Sequence, residues 1–261
     1  MEWWVNSIAG FAVGAIVGVT GVGGGALMTP ILVLLFGVAP ASAVGTDLWF
    51  AALTKMVGGF VHHRKGSVDH EVLRLLCWGS LPAAVVTLAW MHFADVAQEK
   101  NGLLMNALGA VLLLTSVAML FKKRMQGWGQ ALRTRAPAGF KRAQPALTVV
   151  AGVILGVLVT LTSIGAGALG AAMLVYLYPL RMNPKRLVGT DIVHAIPLTI
   201  VAGSGHLLLG NVDLKLLAAL LTGSIPGIVI GSLLGHRLPE PALRSAIAVL
   251  LVVAGWKLFA A

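Results

Sequence analysis

Leu103–Phe121, with the sequence LLMNALGAVLLLTSVAMLF, contains no charged side chain. Leu216–Gly235 and Ser245–Trp256 are uncharged as well. Each stretch approaches or reaches the roughly 20 residues that a helix needs to cross a bilayer. Backbone polar groups find no partner in lipid, so spanning segments are helices or closed barrels, and apolar residues here do not alternate at period two. These stretches predict an all-α integral membrane protein with several spans.

The composition agrees with a membrane protein. Hydrophobic residues make up 58% of the 261 residues and charged residues 11%, against about 25% charged residues in a soluble domain. The formal net charge of +10 would suggest a nucleic-acid partner in a soluble protein. Here the basic residues lie in short loops between apolar segments, as cytoplasmic loops do. We therefore predict membrane lipid as the surroundings, no nucleic-acid partner and no cofactor. Cys77 is the only cysteine, which excludes an intramolecular disulfide.

The two halves of the chain repeat one another. Val44–Pro82 aligns with Val188–Pro226 at a constant offset, and both begin with Val-Gly-Thr-Asp and end with Gly-Ser-x-Pro. Upstream, Thr20–Leu27 (TGVGGGAL) aligns with Thr162–Leu169 (TSIGAGAL) at an offset two residues shorter. Such self-similarity predicts two copies of one helical module.

A basic segment separates the two copies. Lys122–Gln144 is the only long polar stretch, and it carries several lysines and arginines but no acidic residue. Positive charge favours the cytoplasmic side. We predict a first membrane repeat at 1–121, a basic cytoplasmic linker at 122–145 and a second membrane repeat at 146–261.

Counting spans outward from this linker assigns a side to every loop. His62–Glu71 falls inside and its counterpart around Gly210 outside, whereas Phe36–Ala43 falls outside and its counterpart Pro179–Arg186 inside. The repeats are therefore predicted to have opposite orientations, with both termini outside. Inverted repeats are common in secondary transporters, which bind substrate near the bilayer midplane.

Each repeat opens with two short apolar pieces on either side of a glycine motif. These pieces barely reach across a hydrocarbon core of about 30 Å, and the loop count requires them to begin and end on one side. A re-entrant hairpin satisfies this requirement, and so do two short tilted spans; we favour the hairpin, followed by three full spans. The expected full spans are Ala43–His62, Val72–Phe93, Gly102–Phe121, Leu187–Leu209, Asp213–Gly235 and Pro241–Phe259.

The glycine motifs are the strongest local signal for a binding site. Glycine lets the backbone bend and lets a ligand approach closely. A helix that restarts after such a break points free N–H groups and a positive dipole end at it, which favours an anion. Tight helix packing is the alternative explanation. The predicted substrate-binding residues are Thr20, Gly21, Gly23, Gly24 and Gly25 in the first copy, Thr162, Ser163, Gly165 and Gly167 in the second, and Thr46 and Thr190.

Two acids and one lysine lie within predicted spans. Asp47 and Asp191 each follow Gly-Thr near the start of a long span. Intramembrane acids are costly and are candidates for a function, here proton coupling, although an acid at a helix N-terminus also complements the dipole. Lys55 either extends toward the inner face or attracts an anion to the midplane.

Other polar residues have simpler interpretations. His62 and His206 occupy equivalent positions on opposite faces, so we interpret them as structural residues at helix ends. His194 lies one turn after Asp191 and could pair with it. Asp69 and Asp213 sit in Gly-x-Val-Asp turns and are predicted to cap the next helix.

The set of motifs resembles the TauE/SafE family of sulfite exporters. The resemblance rests on Gly-x-Gly-Gly-Gly after a first apolar helix, then Gly-Thr-Asp, then the mirrored copy with Gly-Ala-Gly and Gly-Thr-Asp. It implies a carrier in the cell (inner) membrane for sulfite, sulfoacetate or a related small sulfur anion. It also implies a site at the two glycine motifs with the two Gly-Thr-Asp motifs around them. The second copy departs from the first, with Ser163 and Ala166 in place of Gly21 and Gly24.

The sequence thus predicts a secondary transporter of small anions, sulfite or organosulfonates, with protons as the coupling ion. A passive anion channel would share the fold but would not depend on a proton gradient. A membrane enzyme or assembly factor is a further alternative. No nucleophile–base set in the sequence supports an enzyme.

Overall fold

Helices are the only regular secondary structure in the part of the chain that the structure describes. This structure is a computed structural model, and it describes residues 3–20, 25–64, 68–94, 101–135, 137–234 and 240–260. In chain order the helices are α1 (Trp3–Thr20), α2 (Gly25–Leu34), α3 (Pro40–Arg64), α4 (His70–Phe93), α5 (Asn101–Arg135), α6 (Pro137–Thr162), α7 (Ala168–Leu177), α8 (Pro184–Leu208), α9 (Leu214–Leu234) and α10 (Glu240–Ala260).

Within the described residues, five helices are long and apolar enough to cross a membrane, namely α4, α5, α6, α8 and α9. This confirms the prediction of a multi-pass all-α protein. Helix α3 has 25 residues and packs against α8. Its buried face carries Thr46, Asp47 and Lys55, because this helix lies inside the bundle and contributes polar groups to it.

The basic segment between the two predicted repeats is largely helical. Helix α5 has 35 residues, so at 1.5 Å per residue it is about 50 Å long and extends beyond a bilayer core. Helix α6 begins directly afterwards, at Pro137. Phe140 packs edge-on against Tyr176 with ring centroids 6.3 Å apart. We call the side of the molecule that carries this connection the linker face.

Helices α6 and α7 form an antiparallel hairpin. Gln144 Nε2 donates to the Leu177 carbonyl at 2.5 Å, and the Thr148 and Tyr178 hydroxyls are 2.8 Å apart. The end of α7 therefore lies beside the start of α6, at the linker face, as both the re-entrant hairpin and the two tilted spans require. The first arm is longer than expected, with 26 residues instead of the short apolar piece alone. The corresponding turn of the first hairpin, residues 21–24, lies outside the described residues.

The two halves exchange packing partners. Helix α1 packs on α9 of the other half, and α6 packs on α4 in the same way. Both contacts are so close that a Cβ atom on their glycines would collide with the facing backbone. These glycines are Gly10, Gly14 and Gly223 in the α1–α9 contact and Gly79, Gly152 and Gly156 in the α4–α6 contact. Small residues allow this approach where no hydrophobic driving force exists between helices.

Helices α3 and α8 run antiparallel through the centre. Gly45, near the start of α3, lies against the backbone of Asn211, just after the end of α8. At the linker face the end of α3 instead lies beside the start of α8. There the Asp69 amide, just after α3, donates to the Thr190 hydroxyl near the start of α8 at 2.9 Å. The equivalent bond at the opposite face joins the Asp213 amide to the Thr46 hydroxyl at 3.1 Å.

Asp69 and Asp213 cap the helices that follow them, as predicted. The Asp69 carboxylate accepts from the Val72 amide, and that of Asp213 accepts from the Leu216 amide. Asp69 has a second role that the sequence did not indicate. Arg181 Nε and Nη2 donate to its two oxygens at 2.6 and 2.7 Å, and Nη2 also contacts Glu71 at 2.8 Å. This ion pair joins the two halves at the linker face.

Candidate functional site

A backbone break separates α6 from α7 at the closed end of the hairpin. Ser163, Gly165 and Gly167 adopt positive φ angles of 58°, 118° and 140°. Two of the three are glycines, for which such angles carry no steric cost. The Thr162 hydroxyl accepts from the Ile164 amide at 3.1 Å and donates to the Leu158 carbonyl at 2.6 Å. Thr162 therefore stabilises the end of α6 and the turn that follows it.

The start of α7 carries the N–H groups that the sequence analysis predicted. The first amides of a helix have no intrahelical partner, and they carry the positive end of the helix dipole. In α7 these are the amides around Ala168 and Leu169. The break thus presents amide donors and, at Ala166, a carbonyl acceptor, in a buried part of the second half.

Lys55 reaches this break from α3 of the first half. Its side chain is 7% exposed, and Nζ donates to the Ala166 carbonyl at 3.0 Å. The side chain therefore does not extend to the inner face, which was one of the two alternatives for this residue. An ammonium group buried in this way is costly unless it is paired and hydrogen-bonded.

Asp47 lies on the same helix and is fully buried. The Thr29 hydroxyl donates to Asp47 Oδ2 at 2.5 Å. The Ser163 hydroxyl is close enough to interact with the carboxylate but does not meet hydrogen-bond geometry. Asp47 Oδ1 and the Ser163 hydroxyl thus have no hydrogen-bond partner among the described residues. These two groups are neighbours, so a small rotation of the hydroxyl joins them to each other, and both lie where a ligand or a proton would be bound.

Asp191 completes the group from the second half. It is 7% exposed on α8 and faces Gly170 of α7. Lys55 interacts electrostatically with both Asp47 and Asp191, yet no carboxylate of the described residues lies within 4.0 Å of its ammonium group. We call Asp47, Lys55, Ser163, Ala166 and Asp191 the central cluster. It contains residues from both halves: one cation, and two acids that interact with it electrostatically without forming an ion pair.

His194 has a different partner from the one the sequence suggested. Its Nε2 atom is 2.9 Å from the Ser80 hydroxyl, and both residues are fully buried. The ring also interacts electrostatically with Lys55. The repeat places Phe50 at the equivalent position of the first half. Comparison of the repeats could not identify this pair, because only one half contains it.

The other predicted site residues lie elsewhere or outside the described residues. Thr46 and Thr190 directly precede Asp47 and Asp191 in the chain, but their hydroxyls accept from the Asp213 and Asp69 amides at opposite faces. Gly25 is the first residue of α2. Gly21, Gly23, Gly24 and the side chains of Thr20 and His62 lie outside the described residues. His206 is buried and bonds through Nε2 to the Thr160 carbonyl at 2.9 Å, which supports a structural role.

A single methyl group should test the position of Asp191. A Cβ atom at Gly170 would lie 2.5 Å from Asp191 Oδ1, and the carboxylate would have to move. We expect Gly170→Ala to lower transport about tenfold, since small misplacements in a site have large effects. Flux and thermal melting of the purified variant would be compared with Gly127→Ala, where an added Cβ atom would meet no neighbouring group within 4 Å. Wild-type flux in Gly170→Ala would show that the position of this carboxylate is immaterial.

Comparison with known proteins places this architecture in a family. A family model described as sulfite exporter TauE/SafE matches residues 7–258. The chain belongs to the TauE/SafE family. This TauE/SafE protein is 39% identical over 253 residues to the probable membrane transporter protein YjnA of Bacillus subtilis (strain 168), with 96% of the chain and 97% of the relative covered.

Two more Bacillus subtilis (strain 168) proteins are similar to this TauE/SafE protein. The probable membrane transporter protein YdhB is 27% identical over 253 residues, covering 94% of the chain and 95% of the relative. The probable membrane transporter protein YunE is 41% identical over 59 residues, covering 23% of the chain and 22% of the relative. No solved structure matches significantly. The family and the names of the relatives support a membrane transporter and point away from an enzyme.

Proposed function

We propose that the protein is a proton-coupled secondary carrier of small anions, with sulfite or an organosulfonate as its substrate. The observation that carries this proposal is the bond between Lys55 of the first half and the Ala166 carbonyl in the backbone break of the second half. It brings a buried cation, two buried acids and the start of a helix to one place. The family name, sulfite exporter, supports the choice of substrate.

An inverted-repeat architecture accounts for the position of this cluster. The antiparallel course of α3 and α8, and the reciprocal bonds Asp69–Thr190 and Asp213–Thr46, support two repeats of opposite orientation. In such carriers the substrate lies near the midplane between the repeats, and helix N-termini face its anionic groups. We propose this arrangement in the cell (inner) membrane, with the basic linker on the cytoplasmic side and both termini on the outer side.

The charges of the cluster suggest how protons and anion move together. With every group ionised, one lysine faces two carboxylates, and the excess negative charge repels an anion. With both carboxyls protonated, the lysine alone remains charged, and a monoanion then makes the cluster neutral. Because buried net charge is costly, the anion-free cluster favours one proton and the anion-bound cluster favours two, so one proton is taken up with each monoanion. Asp47 and Asp191 are thus the proposed proton-coupling residues.

The binding groups follow from the same geometry. The amides that begin α7 and the Ser163 hydroxyl can donate to the oxygens of a sulfur anion, while Lys55 supplies the charge. Gly165 and Gly167 keep the backbone free of side chains at this point. The first glycine motif, from Thr20 to Gly25, is proposed to contribute the matching half of the site. Thr46 and Thr190 remain proposed site residues that act from the two faces.

Flux measurements in proteoliposomes would test this function. Sulfite, sulfate, thiosulfate, sulfoacetate and taurine would each be offered with and without an imposed pH gradient. Asp47→Asn and Asp191→Asn are expected to lose gradient-driven flux by about tenfold or more, because an asparagine amide cannot take up or release the proton that the gradient drives. Asp213→Asn is the matched control, because asparagine caps a helix as well as aspartate does.

Each outcome decides between defined alternatives. Gradient-driven flux of one sulfur anion, lost in the two cluster variants and kept in Asp213→Asn, supports the coupled carrier. Gradient-driven flux that both cluster variants retain would contradict the coupling role of the acids. Flux that never responds to a pH gradient would instead identify a passive anion channel.

A further inference from the structure

A pocket at the linker face lies outside the central cluster. It has a volume of about 450 Å³ and is bordered by α5, α7, α8 and α10. This volume falls in the range of small-molecule sites, about 300–1,000 Å³. Its polar lining includes Lys122, Lys123 and Gln126 of α5 and Ser245 of α10. The proposed function assigns no role to these residues.

The pocket adjoins the helix that carries Asp191. Val188 lines it, and Asp191 lies three residues further along α8, so that both share one side of the helix. Lys122 interacts electrostatically with the Asp191 carboxylate. The pocket and the central cluster are therefore neighbours, and Lys122 acts on both. Val188 and Asp191 are about one helical turn apart along α8.

The remaining lining is apolar. Val175, Met182 and Leu187 form buried walls, and Met119 adds a further apolar surface. Two lysines beside such walls suit an anion that carries an apolar body. A bare inorganic oxyanion such as sulfite would contact the lysines but gain nothing from the walls, since burial of hydrocarbon is the source of that gain.

We propose that this pocket is a vestibule that binds organic anions with a sulfonate or carboxylate head and a short apolar body before they reach Asp191. Lys122 and Lys123 bind the anionic head, and the walls around Val175 and Leu187 contact the apolar body. The inference rests on the proposed carrier function and deepens it, because it selects organic anions over sulfite as the substrate class.

Direct binding to the purified full-length protein in nanodiscs of neutral lipid would test the vestibule. Propanesulfonate is the probe, and isothermal titration is the measurement. Lys122→Gln combined with Lys123→Gln is expected to weaken binding about tenfold or more, as the loss of charge-assisted hydrogen bonds predicts. Ser245→Trp, which fills the pocket from its exposed edge, should weaken it comparably without changing the charge.

The matched control removes the same charge elsewhere on the basic segment. Lys141→Gln combined with Arg142→Gln changes two exposed residues that do not line the pocket, and binding should stay at the wild-type value. Equal binding in the wild type, the lysine variant and Ser245→Trp would overturn the vestibule. Equal weakening by both double variants would also overturn it, because the effect would then come from the overall charge.

Two further arms test the chemical class of the ligand. From methanesulfonate to butanesulfonate, affinity should rise about three- to fourfold for each added methylene, because each buried methylene contributes about 0.8 kcal/mol. No dependence on chain length would overturn the role of the apolar walls. Nanodiscs that contain phosphatidylglycerol test whether the pocket binds the headgroup of an anionic lipid instead of a soluble organic anion. If this lipid displaces the probe, the pocket is a lipid headgroup site and the proposal is wrong.

Failure of the vestibule and failure of the carrier can be told apart. If the pocket variants transport and bind like the wild type while Asp47→Asn and Asp191→Asn lose gradient-driven flux, the carrier stands and the vestibule falls. If the cluster variants transport normally, the carrier mechanism fails first. Probe binding at the pocket would then indicate a site unrelated to transport by this cluster.

Discussion

Replacement of Lys55 by methionine should reduce anion flux about a hundredfold. Lys55 is the cation that faces both buried acids and the carbonyl of the backbone break. Charge-assisted hydrogen bonds contribute up to about 3 kcal/mol, which corresponds to a factor of about a hundred in binding. Without the ammonium group, a cluster with two protonated acids is neutral and does not attract a monoanion.

Methionine is chosen because it has a similar length and carries no charge. Flux of the proposed sulfur-anion substrate would be measured in proteoliposomes with an imposed pH gradient. Lys215→Met is the matched control, because Lys215 is exposed on α9 at the face opposite the linker. Thermal melting of both variants would establish that each is folded. A folded Lys55→Met protein with wild-type flux would remove the proposed anion site.

The second large effect concerns the fold. Gly79→Val should lower the melting temperature by about 10 °C or more, because a Cβ atom at this position would lie 2.8 Å from the Val153 backbone nitrogen of the facing helix. A backbone cannot move aside as a flexible side chain can, so helices α4 and α6 must separate. Overpacking typically lowers the free energy of unfolding by about 1–3 kcal/mol. We expect a larger loss here, because two helices must separate.

An identical substitution at an open position serves as the reference for this experiment. Gly127 lies on α5, and a Cβ atom added there would meet no neighbouring group within 4 Å. Gly127→Val should therefore leave the melting temperature within a few degrees of the wild type. Gly223→Val tests the equivalent contact between α1 and α9. Unchanged melting of Gly79→Val and Gly223→Val would show that the two close helix contacts do not support the fold.

Much of the architecture could be predicted from local patterns. Uncharged stretches as long as a bilayer is thick predict helices wherever they occur, because lipid offers the backbone no other partner. Gly165 and Gly167 predict the break between α6 and α7, since only glycine adopts their backbone angles freely. The caps at Asp69 and Asp213 are likewise correct, because a cap depends on residues within one turn.

Contacts between distant segments could not be predicted in this way. In the sequence Arg181 is only a positive charge that marks a loop, yet it pairs with Asp69 across the two halves. Ser80 matches its counterpart Ser224 in the repeat, but its bond to His194 follows from the packing of α4 on α8. Such pairs depend on how helices cross, and crossing angles are set by side-chain packing over the whole bundle.

The amino-acid sequence alone is sufficient to predict the helices, the internal repeat, the glycine break and the candidate acids. These features depend on length, hydrophobicity and local backbone preference, which act over one or two helical turns. The tertiary structure alone determines that Lys55 turns inward to Ala166 of the other half instead of extending to the surface. The direction of the Lys55 side chain depends on which helices of one half pack against the other half. The close glycine contacts of α1 with α9 and of α4 with α6 hold these partners together, because helices without bulky side chains at the contact approach closely and bring the two halves to one site.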